Sequence, residues 1–321
     1  MAMMRDNFKY NITWLIIMAA GFYMINTLIL VGIVNTFIEN MLVTIGINII
    51  LATGLNLVIG FAGQFSLGHA GFMAVGAYAT AIITSSVSGG SGFYLSLIVG
   101  IILSVVIALI VGIPTLRLRG DYLAIATMGA AEIIRIVINN MKITGGAAGI
   151  FNIPQFASWP TVYIMVCITT IVLTNFIHSR DGRAVIAVRE DEIAAESVGV
   201  NVFKWKLAAF VFGAATAAIA GSLHASYLQT IAPSEFGIME SISVLIIVVL
   251  GGIGSITGTF VAAIALGVID TILQNFGALR MVIYALALIL IMVFKPSGLL
   301  GTKELSIKSI FKKIKSRKEV I

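Results

Sequence analysis

Apolar residues run in long blocks along this chain, and short polar breaks divide them. The blocks at about 14–34, 41–60, 93–113, 159–178 and 207–229 each approach the roughly 20 residues a helix needs to cross a bilayer. A third helix follows the glycine-rich stretch 61–71 and reaches about residue 84. Another leads from the turn at Arg117, Arg119 and Asp121 to about residue 141. The block at 240–274 is too long for one span and too short for two joined by a loop. Gly251, Gly252 and Gly254 interrupt it, so it reads as two shorter helices meeting at a break. A last span is expected at about 280–294. The pattern predicts an all-α polytopic membrane protein with about eight to ten membrane helices, half-length ones included. It divides into a transmembrane domain at 1–294 and a tail at 295–321.

Composition agrees with that class. Hydrophobic residues make up 59% of the chain and charged residues 11%, where a soluble domain carries about 25%. Glycine, at 32 residues, suits close helix packing in a membrane. Cys167 is the single cysteine and lies in an apolar run, which excludes an intrachain disulfide and a thiolate metal cluster. The first block follows Arg5 and Lys9 without a convincing cleavage site, so it reads as a retained span.

The net charge of +6 could point to nucleic acid, but its distribution points to membrane topology. With the N-terminus in the cytoplasm, the basic residues concentrate on that side, eight of them in the tail. Only Arg135, Lys142 and Arg280 fall elsewhere. Both termini and the polar stretch 180–206 are therefore expected in the cytoplasm. That stretch holds five basic and five acidic residues. Within it, 189–199 reads as one short helix with acidic residues in its first turn and Gly199 as its stop. It is either a solvated loop or a docking surface.

The stretch 60–71 sets Gln64, Ser66 and His69 among glycines, including Gly63 and Gly68, inside apolar surroundings. Polar groups at membrane depth face protein or a watery path, and non-helical backbone is tolerated only in the same places. A broken helix beside a translocation path fits this stretch, and so does tight packing with His69 bonded to a neighbouring helix. Gly254 and Gly258 have a spacing for close helix contact, so that break reads as packing or a hinge. His69, His178 and His224 lack metal-ligand spacing, and no metal site is expected. Glu132 and Arg135 stand three apart on one helix and can neutralise each other. No glycine loop ends in a phosphate-binding lysine, so ATP, if used, must be bound by another subunit.

Four ordered motifs resemble the permease subunits of branched-chain amino acid ABC importers, LivM type. The first is Gly63-Gln64-Phe65-Ser66-Leu67-Gly68-His69-Ala70-Gly71. The second is Leu116-Arg117-Leu118-Arg119-Gly120-Asp121-Tyr122, with Thr144-Gly145-Gly146 after it. The third is Gly182-Arg183-Ala184 followed by Arg189-Glu190-Asp191-Glu192, and the fourth is Leu250-Gly251-Gly252-Ile253-Gly254-Ser255. The resemblance covers about 41–300.

It implies a transport subunit rather than an enzyme, in a bacterial plasma membrane. It binds no cofactor itself, with ATP and Mg on two ATPase subunits, a homologous LivH-like second permease and an extracytoplasmic binding protein. It implies that Glu192, Ala194, Ala195, Glu196 and Gly199 form the ATPase-coupling loop, although Ile193 stands where the importer pattern has a glutamate. The substrates implied are leucine, isoleucine and valine. Urea or a short amide is the alternative within the class. A proton-coupled transporter using His69 and Asp270 is the alternative outside it.

Overall fold

The computed structural model describes residues 18–32, 34–87 and 89–273, with isolated positions at 16, 286, 289, 298, 299 and 301. Arg5, Lys9, all but two positions of the span expected at 280–294 and most of the basic tail lie outside the described residues. The helices in chain order are α1 (Met18–Leu30), α2 (Thr36–Asn56), α3 (His69–Ser86), α4 (Gly90–Thr115), α5 (Asp121–Asn140) and α6 (Trp159–His178). They continue with α7 (Arg180–Glu190), α8 (Glu192–Ser197), α9 (Val202–Leu228), α10 (Ile238–Gly251) and α11 (Ile256–Leu273). A π-helical turn, Leu57–Phe61, ends α2. The two strands, β1 (Ile150–Phe151) and β2 (Thr230–Ile231), pair antiparallel and only tie two loops together. Five of these helices are long and apolar enough to cross a membrane.

Small residues decide the packing at the centre. α9 carries the run Gly213-Ala214-Ala215-Thr216-Ala217-Ala218 and then Gly221, and it lies against α2, α3 and α4. A Cβ at Gly76 would stand 2.0 Å from the Ala218 carbonyl oxygen, and one at Gly221 would stand 1.9 Å from that of Met73. The helices approach to backbone contact because neither position has a side chain. Hydroxyls then bridge them. Ser222 Oγ donates to the Gly76 carbonyl at 3.1 Å, and Ser104 Oγ donates to that of Ala214 at 2.8 Å. Gly76→Leu is accordingly expected to leave no monodisperse protein on size-exclusion in detergent. Gly129→Leu, whose Cβ meets nothing within 4 Å, should behave as the parent chain.

Three expected boundaries move, the first being the start of α2, at Thr36 rather than about 41. The charged helix expected over 189–199 is broken at Asp191, whose Oδ1 accepts from the amides of Ile193 at 2.8 Å and Ala194 at 3.0 Å. An aspartate that caps a helix start turns the chain, so the acidic run forms the end of α7 and the beginning of α8 rather than one first turn. α9 begins at Val202, ahead of the expected 207, because Asn201 Oδ1 accepts from the Lys204 amide at 2.9 Å. Lys204 and Lys206 thus sit on the helix itself. The stop at Gly199 is present, with φ at +83°.

Candidate functional site

α7, α8 and the first turns of α9 mark one end of the bundle, called here the charged end. The path of each span follows from its contacts with α9. His69, which opens α3, comes within 3.8 Å of where a Gly213 Cβ would stand, and Gly213 lies near the middle of the 27-residue α9. α3 therefore starts at mid-level and runs away from the charged end. The Ala70 amide donates to Ser241 Oγ at 3.1 Å, so the first turn of α10 also sits at mid-level. From there α10 runs to the charged end, where its glycine turn meets α7. The break expected in 240–274 is present, and α10 is a half-length helix of 14 residues.

At the charged end one arginine joins both glycine breaks. Arg189 Nη1 donates to the Gly60 carbonyl at 2.7 Å. That carbonyl lies in the π turn, where the Ala62 amide reaches back to Leu57 and the Gln64 amide to Val58, so the usual helical donor is withdrawn from Gly60. A Cβ at Gly63 would be 2.9 Å from Arg189 Cγ, and one at Gly254 would be 3.1 Å from Nη1. Gly60 and Gly254 also touch directly, since a Cβ at Gly60 would be 2.3 Å from the Gly254 amide nitrogen. On its outer side Arg189 Nε donates to Glu190 Oε1 at 3.0 Å.

Asn56 completes the junction. It is wholly buried, and its Oδ1 accepts from the Gly254 amide at 2.9 Å. Its Nδ2 donates to the Ser255 carbonyl at 2.9 Å and to Thr259 Oγ1 at 2.8 Å. The turn 252–255 holds two left-handed glycines, Gly252 and Gly254. α10 and α11 approach each other at Gly251 and Gly258, where a Cβ on Gly258 would be 2.1 Å from the Gly251 carbonyl oxygen. The expected Gly254 and Gly258 spacing is therefore filled by a hinge residue and a packing residue.

The other residues singled out in 60–71 are buried within the chain. Gln64 Nε2 donates to the Lys206 carbonyl at 2.9 Å, while its Oε1 has no partner. Ser66 Oγ accepts from the Gly68 amide at 3.4 Å, and Gly68 rests on the Thr127 carbonyl. His69 Nε2 lies 3.0 Å from the Leu51 carbonyl, an acceptor that calls for the proton on that nitrogen. The packing seen here binds α3 to α2, α5 and α9.

The residues expected to form the coupling loop lie at the charged end, and all but Ala195 reach its surface. Glu192 pairs with Lys206 and approaches Arg119 to 3.9 Å. Glu196 and Gly199 line a groove of about 590 Å³ with Arg117, Arg119 and Phe203. Ala195 is buried against the bundle and Ala194 is exposed. Ile193 on α8 and Val198 just past its end are each 77% exposed, which leaves two large apolar side chains open to solvent.

Asn56 and Arg189 were not singled out as a junction from the sequence. An asparagine inside the apolar block 41–60 was the available signal for the first. The second had none, because its partner Gly60 is 129 positions away.

Long apolar helices, a half-length helix ending at a glycine turn and a charged platform packed against that turn define a polytopic membrane protein. The chain belongs to the family described as "Branched-chain amino acid transport system / permease component", whose model matches residues 37–294. It is 38% identical to the high-affinity branched-chain amino acid transport system permease protein LivM of Escherichia coli over 264 residues, 71% of this chain and 62% of that one. It is 26% identical to a probable LivM of Methanocaldococcus jannaschii, covering 76% of this chain and 79% of the other. The LivH permease of Salmonella typhimurium is 32% identical over 62% of this chain and 65% of its own length. The match thus spans about three-fifths of the length of the E. coli LivM relative. No solved structure matches.

Proposed function

We propose that this chain is a membrane-spanning permease subunit of an ATP-driven importer for leucine, isoleucine and valine. The observation that carries the reading is the junction of Arg189 with Gly60 and Gly254, because it ties a solvent-facing platform to the ends of two broken spans. A subunit that pushes on α7 and α8 moves both breaks at once. The names of the relatives support the substrate class, and the LivH likeness supports a homologous second permease as partner. An extracytoplasmic binding protein delivers the substrate, and two ATPase subunits hold ATP and Mg. This chain holds no cofactor and carries no catalytic residue. It lies in the plasma membrane of a bacterium, with the charged end and both termini in the cytoplasm. Leu299, beyond the last expected span, supports the placement of the C-terminus, since its amide donates to the Leu250 carbonyl at 2.7 Å at the charged end.

α8 is the docking element. Apolar side chains stranded in water on a short helix are energetically favoured only once a partner covers them. Glu192 is engaged by Lys206 and acts in holding α8 in place, which leaves Glu196, with Ile193 and Val198, to meet the ATPase. Ile193→Asp with Val198→Asp is expected to cut copurification of the ATPase subunits at least tenfold while the permeases still insert and pair. ATPases retained at the parent level would overturn the docking reading.

A further inference from the structure

Glu132 and Arg135 form an ion pair on α5, with Arg135 Nε donating to Glu132 Oε2 at 2.9 Å and Nη2 bonded to Oε1. α5 has 20 residues and so a length of about 30 Å, and Glu132 stands about 16 Å along it. Contacts at the start of α3 fix the same level independently. Gly71 lies against Ala131, next to Glu132, and Ala70 bonds to Ser241. Glu132 is therefore level with the first turn of α10, half a bundle away from either end.

The pair is not sealed inside the chain. Its side chains are 34% and 30% exposed, while Leu123, Thr127, Ala131 and Ile138 of the same helix are buried. Charges at this depth are costly against lipid, so they face water or protein. Ile136, four positions on from Glu132 and so on its side of the helix, is 48% exposed, and Ile133, three before Ile136 and beside it, is 64% exposed.

We propose that Glu132 and Arg135 are the mid-membrane contact for the substrate, reading the zwitterionic head of an α-amino acid. The guanidinium takes the α-carboxylate, the Glu132 carboxylate takes the α-ammonium, and Ile133 and Ile136 offer apolar contact to a branched aliphatic side chain. The two protein charges neutralise each other when no substrate is present, so an empty path carries no unpaired charge across the membrane centre. A zwitterion exchanges with that pairing at no change in net charge. A fork that meets a carboxylate with two parallel bonds needs arginine rather than lysine. The site rests on the amino acid importer reading, and it is incompatible with urea, which has no charges to exchange.

The test uses the full complex of both permeases, the ATPases and the binding protein in proteoliposomes, with leucine uptake and ATP hydrolysis measured together. The exchange of Glu132→Arg with Arg135→Glu keeps the ion pair but reverses it. Arg135→Lys keeps the charge and loses the fork. Each assembled complex is expected to take up leucine at least tenfold more slowly, while the binding protein still stimulates ATP hydrolysis. Leucine uptake at the parent rate by either assembled variant would overturn the site and leave the importer reading intact. A parent complex that takes up no leucine would overturn both.

Discussion

Arg189→Gln is expected to lower substrate uptake by at least tenfold while the ATPase subunits still bind. Glutamine keeps a donor but is too short to span from α7 to the Gly60 carbonyl, now reached at 2.7 Å. Loss of a charged donor to a part-buried carbonyl costs about 1.5–3 kcal/mol, enough to weaken one junction without unfolding a bundle of this size. Docking should survive, because Ile193 on α8 and Val198 at its end are exposed and do not depend on Arg189. The telling readout is the number of ATP molecules hydrolysed per substrate moved. It should rise several-fold, since the platform would still be driven but would no longer pull on both breaks. Arg189→Lys should restore part of the uptake, because an ammonium can reach the same carbonyl. An unchanged ratio in Arg189→Gln would show that force passes through another contact.

Asn56→Leu is expected to produce the largest loss of stability among single changes at the junction. The substitution keeps the volume and removes three hydrogen bonds, to Gly254, Ser255 and Thr259. Ser255 and Thr259 retain each other, with the Thr259 amide donating to the Ser255 carbonyl at 3.1 Å. The Gly254 amide retains nothing, and an unpaired donor in such surroundings costs about 1–3 kcal/mol. A lowered melting temperature in detergent, together with faster proteolysis or thiol labelling at the 252–255 turn, is the predicted result. Parent-like stability would mean that glycine packing alone holds the turn.

Parts of this structure were legible in the sequence for plain reasons. α6 matches the span expected at about 159–178, a continuous apolar run bounded by polar stretches on both sides. The pair α10 and α11 followed from a length no single span could use and from three glycines at the break. The start of α9 was missed because Lys204 and Lys206 look like loop residues, whereas a helix that emerges from a membrane carries them easily at its surface. The α7–α8 corner was missed because an acidic run suits both the first turn of a helix and a cap, and only the backbone direction separates the two. In 60–71 the composition announced unusual backbone but not its depth. The depth came from Lys206 and Gly213, partners that no local pattern reveals.

The most direct test is ATP hydrolysis by the chain reconstituted in lipid with its second permease, ATPases and binding protein. Hydrolysis should rise with leucine-loaded binding protein and stay at the basal rate with urea in its place. Stimulation by urea alone would move the substrate out of the branched-chain class. Failure of the ATPases to associate in lipid would contradict the importer reading itself.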